Sequence, residues 1–204
     1  GEMLLTNGVW NLAAYSWIGY NGKGVITITG GQLFSGPGFC LGRGAGTGVV
    51  TVAGGTLDVS NELRVGGNAT SMGCVTLTGA GVLKVDYISE YTNTANSALL
   101  FDGGTLQARQ DGALIRSIDD IRLTANGLVL DTAGHNVTVT GLLQNAEGQA
   151  GSLTKKGTGT LTLVGTRAAT GSLSVLVGTL VMNDDVAVSA GTSRIDGSLT
   201  LAAD

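Results

Sequence analysis

The chain has 204 residues, 35 of them glycine and one proline, with 43% hydrophobic and 13% charged side chains and a net charge of −4. Glycine this frequent without proline excludes collagen, and the apolar content excludes a disordered chain. The 11 basic residues are scattered, so no nucleic-acid partner is expected, and no apolar run reaches the ~18 residues of a membrane helix, so no membrane insertion is expected here.

The N-terminal GEMLLTNG matches no signal peptide or other targeting segment. Its leading glycine, followed by a start inside an alternating pattern, leads us to expect a piece of a longer protein with flanking domains in the same chain. From there the sequence repeats. GVITITGGQLFS (24–35), GVVTVAGGTLDV (48–59), GCVTLTGAGVLKV (73–85) and SALLFDGGTLQA (97–108) align on Leu33, Leu57, Leu83 and Leu106, and IRLTANGLVL (121–130) continues the step. A second series, SWIGYNG (16–22), FCLGRGAG (39–46) and LRVGGNA (63–69), aligns on Ile18, Leu41 and Val65, with Ile88 next. Both series step by about two dozen residues.

Each unit thus holds three short alternating segments, each too short to be a useful strand alone. Coiling the chain with three strands per turn stacks each strand on its copy in the next turn. We therefore expect an all-β fold, a single-stranded parallel β-helix (solenoid) forming one domain over 1–204. At ~24 residues per turn it has roughly eight turns, and at ~4.8 Å per turn it is a rod of ~40 Å. The expected inward columns are Ile28/Val52/Leu77/Phe101, Leu33/Leu57/Leu83/Leu106 and Ile18/Leu41/Val65/Ile88. Gly54-Gly55, which interrupts an otherwise good strand, is expected to form a corner between two faces, because glycine accepts the positive φ such bends use.

The residues between the inward ones face out. Phe34, Asp58, Lys84 and Gln107 form one such column, with Asp58 and Lys84 placed as an exposed ion pair one turn apart. Trp17, Cys40, Arg64 and Tyr87 form another, with Tyr20 and Arg43 just beyond. In a chain with 4% aromatics, several rings sharing a face with two arginines suggest a glycan-binding strip of Trp17, Tyr20, Arg43, Arg64 and Tyr87. Rings stack on sugar faces and arginine forks bind carboxylates. The competing explanation is that Trp17 and its neighbours cover the N-terminal end or face a flanking domain. Cys40 and Cys74 also fall at outward positions more than a turn apart, so no disulfide between them is expected.

Further along, DGALIRSIDDI (111–121) carries Leu114, Ile115, Ile118 and Ile121 at helical spacing, so a short helix outside the coil competes there with the strand pattern. Asp119-Asp120 and Asp184-Asp185 suit solvated loops. His135, the single histidine, sits in a turn, AGHNVT, where polar residues are ordinary. The G-x-G strings near 42–48 follow no strand-to-helix unit and are corners rather than phosphate loops. No catalytic residue, metal or cofactor is expected.

From about Ile118 to Met182 the chain carries LDTAGHNVTVTG (130–141), GSLTKKGTGTLTLVG (151–165) and TGSLSVLVGTLVM (170–182). The order L-T-K-x-G-x-G-T-L-T-L-x-G, then T-G, then G-T-L resembles the passenger-associated β-strand repeat of bacterial autotransporters, over about 151–182. TRAATG stands where that family usually shows Asn-Thr-Tyr before Thr-Gly. The resemblance implies a right-handed β-helix, secreted or displayed on the bacterial cell surface through parts outside these residues. It also implies a structural and secretion-assisting segment rather than a catalytic site. We expect a role in display or adhesion, with a glycan or a host or cell-surface ligand as partner. The alternative is a carbohydrate-active enzyme or glycan-binding module on the same scaffold.

Overall fold

A computed structural model describes residues 1–91, 96–165, 167–183 and 194–202. Threonine, valine, isoleucine and leucine alternate in short runs, and each run becomes a strand because the coils above and below supply its hydrogen bonds. The first coil is β1 (Glu2–Leu5), β2 (Val9–Leu12) and β3 (Ser16–Tyr20), and the second is β4 (Lys23–Ile28), β5 (Gln32–Ser35) and β6 (Phe39–Arg43). The third is β7 (Thr47–Val52) and β8 (Thr56–Val65), and the fourth is the continuous β9 (Met72–Ser89). The fifth is β10 (Asn96–Ala108) and β11 (Gly112–Ile115), and the sixth is β12 (Asp120–Leu123), β13 (Leu128–Asp131) and β14 (Val137–Val139). The seventh is β15 (Leu143–Asn145), β16 (Leu153–Lys156) and β17 (Thr160–Leu163).

The chain is therefore a parallel β-solenoid of about seven turns with ~24 residues each. The expected eight came from dividing length by turn size. Beyond the seventh turn, β18 (Leu173–Val175), β19 (Thr179–Asn183), β20 (Arg194–Ile195) and β21 (Ser198–Ala202) extend two of the three faces. The repeat shortens at this end, where Ser172 stacks 20 residues after Ser152.

Two inward columns run as the sequence suggests. Ile28, Val52, Leu77 and Phe101 are successive register partners, as are Leu33, Leu57, Leu83 and Leu106, and all eight are fully buried. The third column departs from expectation. Ile18, Leu41 and Val65 stack, but Ile88 stacks on Leu63. The coil from Leu57 to Leu83 is longer than the one from Leu33 to Leu57, and a register shift between Val59 and Glu62 absorbs part of the excess.

Gly54-Gly55 is a corner, for two reasons. Gly55 has φ +71°, and a Cβ there would lie 2.5 Å from the Gly31 carbonyl oxygen of the preceding coil. The region 111–121 forms no helix. Leu114, Ile115, Ile118 and Ile121 all point into the coil interior, and Ser117 at φ 54° turns the corner between β11 and β12. That corner interrupts strand alternation and imitates helical spacing. Asp120 opens β12 instead of lying in a loop, while Asp184 and Asp185 lie outside the described residues.

The Phe34–Asp58–Lys84–Gln107 column exists, but its ion pair is different. Asp58 pairs with Arg109, which also holds Asp86 at 3.0 Å, and Asp58 accepts a 3.4 Å hydrogen bond from Gln32. Asp58 is buried, not solvated, because the long Arg109 side chain reaches back across the intervening coil.

Candidate functional site

Trp17, Cys40 and Arg64 are register partners on the outer surface of the third face, and Tyr20 pairs with Arg43 on the same two strands. Alternation along β3 places Trp17 outward beside inward Ile18. The three rings Tyr15, Trp17 and Tyr20 form a short array, with centroids 5.4 Å apart for the first pair and 6.5 Å for the second. The Arg43 guanidinium lies over the Trp17 ring, 5.9 Å from its centroid. Trp17, Tyr20 and Arg43 therefore form one contact group.

Arg64 and Tyr87 are placed differently from the sequence expectation. Tyr87 pairs with Glu62, and the residue stacked on Arg64 is Ser89. Arg64 binds the Glu62 carboxylate at 2.5 Å and lies over Tyr91, 5.0 Å from its ring. Glu62 also accepts a hydrogen bond from Ser89 Oγ. Tyr87 is covered by Arg116 at 3.8 Å. The strip is thus three aromatic–arginine contacts, Trp17–Arg43 on the first two coils and Arg64–Tyr91 and Arg116–Tyr87 further down, with Cys40 buried between Trp17 and Arg64. Cys40 is at an outward strand position, yet the Gly67 corner of the next coil closes over its sulfur. Burial pushes its thiol up to about 11, and pushes the Tyr15 phenol up to about 12. Both cysteines are free.

Sequence reasoning missed Tyr15, Tyr91 and Arg116. Tyr15 precedes Trp17 by one alternation and was legible as part of the same surface. Tyr91 and Arg116 join the strip only through corners whose course the sequence does not specify.

Beside Trp17 and Tyr20 opens a groove of about 550 Å³ between β1, β3 and β4, bounded also by Glu2, Met3, Lys23 and Ile26. Among the described residues Glu2 is the one carboxylate lining it. A smaller hollow of about 220 Å³ includes Ser97, Asp119 and Asp120. Its acids are engaged within the coil: Asp119 accepts from the Ser97 amide at 3.3 Å, and Asp120 from Arg122 at 2.8 Å and Gln144 at 2.8 Å. His135 lies on an exposed corner with Nδ1 3.2 Å from Asp111. Among the described residues no group of three or more His, Cys, Asp or Glu could hold a metal ion.

Two basic side chains lie in the interior, where sequence patterning suggested neither. Lys155 occupies the Leu33–Leu57–Leu83 column and is fully buried. Its Nζ donates to Thr132 Oγ1 at 3.2 Å and to the carbonyls of Lys156, Gly157 and Val177. Arg167 stacks on Leu143 and donates to the Gly171 carbonyl at 3.0 Å. Burial lowers the pKa of both.

The fold and surface define a parallel β-solenoid carrying an aromatic–arginine strip. Compared with known proteins, the chain matches no family model, no curated protein and no solved structure.

Proposed function

We propose that this chain is a non-enzymatic rod segment of an exported bacterial surface protein, serving display or adhesion. The observation that carries this is the stack itself. Seven coils pile up with tight glycine corners and an interior of aliphatic columns, which makes a stiff spacer with a long lateral surface. Among the described residues the groove beside Trp17 and Tyr20 is lined by one carboxylate, Glu2, whereas glycoside hydrolysis ordinarily uses a pair. The L-T-K-x-G-x-G-T-L run supports the exported setting through its resemblance to passenger repeats. Its lysine has a structural task here, tying three backbone carbonyls at a corner.

The test is made on cells. Antibodies raised against the chain should label intact, unpermeabilised cells of the source bacterium or its culture medium. Labelling confined to permeabilised cells overturns the exported reading. Turnover of a polysaccharide by the purified chain overturns the non-enzymatic one.

A further inference from the structure

We propose that Glu90 and Asp119 hold one proton between them around Ser97, tying the fourth, fifth and sixth coils together until that proton leaves. This makes a pH-sensitive joint inside the rod. It goes beyond the display reading and holds whether or not the rod reaches a cell surface. Three observations carry it. First, the three residues come from three successive coils: Glu90 follows β9, Ser97 lies in β10 and Asp119 precedes β12. Ser97 Oγ donates to Glu90 Oε2 at 2.6 Å and accepts from the Asp119 amide at 2.9 Å, while the Ser97 amide donates to Asp119 Oδ2 at 3.3 Å. Two carboxyls therefore meet on one serine, and both Glu90 and Ser97 are buried.

Second, no cation answers them. Arg64 is bound to Glu62 and lies over Tyr91, Arg116 lies over Tyr87, and Arg122 holds Asp120. Among the described residues neither Glu90 nor Asp119 makes an ion pair, and Asp119 is the one charged group acting on Glu90. Cys74 shares a register column with Asp120 and is influenced by that carboxylate instead. The four residues between Tyr91 and Asn96 are Thr-Asn-Thr-Ala and bring no titratable group.

Third, two carboxyls in contact without a cation do not both ionise readily, so one keeps its proton. Burial and the adjoining Asp119 push Glu90 above its ordinary 4.5. The serine hydroxyl is already donated to Glu90, so the carboxyl proton itself is what bridges to Asp119. A raised carboxyl pKa reverses the usual acid sensitivity. The tie is complete below 4.5 and is lost as pH climbs through the raised value. Past it, two carboxylates face each other, and opening of this joint relieves them while the leucine columns stay packed.

The experiment is a carboxyl-carbon NMR titration of the full chain, with amide hydrogen exchange on the same samples. Glu90 and Asp119 should titrate as a coupled pair in two steps, the upper one above the ordinary glutamate value. Protection of the Ser97 and Asp119 amides, corrected for the intrinsic rate at each pH, should fall several-fold through the upper step, while that of Val52 and Leu57 in the third coil holds. Glu90→Gln carries a permanent N–H donor toward Asp119 and should flatten the pH dependence at both amides. Asp119→Asn makes the same test should Glu90→Gln lose its strand circular dichroism. Both carboxyls titrating at or below their ordinary values overturns the proposal, and that measurement needs no variant. So does protection that stays level through the upper step, and so does a folded variant that keeps the wild-type pH dependence. A tie that is merely structural would lose protection in Glu90→Gln by the same factor at every pH, which also overturns it.

Discussion

Lys155 is the register partner of Leu130, so an ammonium group stands in a column otherwise built largely of leucine. It is tolerated because its donors meet the Thr132 hydroxyl and carbonyls on two successive coils, Gly157 on its own and Val177 on the next. Lysine thus acts as a clamp between coils where the repeat begins to shorten.

Lys155→Met keeps the apolar stem and removes every donor. The carbonyls of Lys156, Gly157 and Val177 then lose a partner inside the coil, and we expect a loss of about 2 kcal/mol in chemical denaturation. Lys155→Ala adds a cavity and should cost about 2–5 kcal/mol. Met as stable as Lys would show that burying the charge cancels the benefit of its hydrogen bonds.

Leu57 and Asp58 are neighbours with opposite roles. Leu57→Ala opens a cavity between Leu33 and Leu83 and should cost about 2–5 kcal/mol. Asp58→Ala removes a mostly buried acid whose partner Arg109 retains Asp86, so we expect a loss of about 1 kcal/mol. In a double-mutant cycle Asp58 and Arg109 should couple, while Asp58 and Lys84 should not. Coupling to Lys84 alone would reverse that assignment.

Much of this fold was legible because its period is carried by leucines. Leu33, Leu57 and Leu83 recur beside glycine corners, and regular spacing translates directly into stacking. The third face was misaligned because the segment from Gly66 to Ser71 lengthens one coil, and loop length has no hydrophobic signature. That slip moved Tyr87 off Arg64. Lys155 and Arg167 were illegible as interior residues for another reason: what makes them tolerable is a set of backbone carbonyls, and these exist only after folding. Cys40 was placed outward correctly and exposed wrongly, since burial of an outer position depends on the neighbouring corner.

The corner glycines separate strain from contact. Gly8 has φ +79° with open space around it, whereas Gly55 has φ +71° and the Gly31 oxygen where a Cβ would stand. Gly8→Ala should cost about 1–2 kcal/mol from the left-handed backbone alone. Gly55→Ala carries the same strain plus a clash between coils, so its melting temperature should fall well below that of Gly8→Ala. Equal melting temperatures would mean that the coils separate locally at little cost.

Alkaline stability follows from Cys40 and Tyr15. Burial raises the thiol from 9.0 to about 11 and the phenol from 10.0 to about 12, so both hold their protons more tightly in the folded chain. Their contribution is complete below the unfolded values and is lost as pH climbs through the folded ones. Lys155 acts in the opposite sense, because its lowered pKa favours folding as pH rises toward its unfolded value. Cys40→Ala isolates the thiol from both. With ~1.4 kcal/mol per pKa unit, the fully buried thiol should account for up to ~2–3 kcal/mol of alkaline loss. Urea unfolding of wild type and Cys40→Ala should therefore show a stability gap that shifts against the wild type between about pH 8 and about pH 11. A gap that stays constant across that interval would place the thiol in contact with solvent.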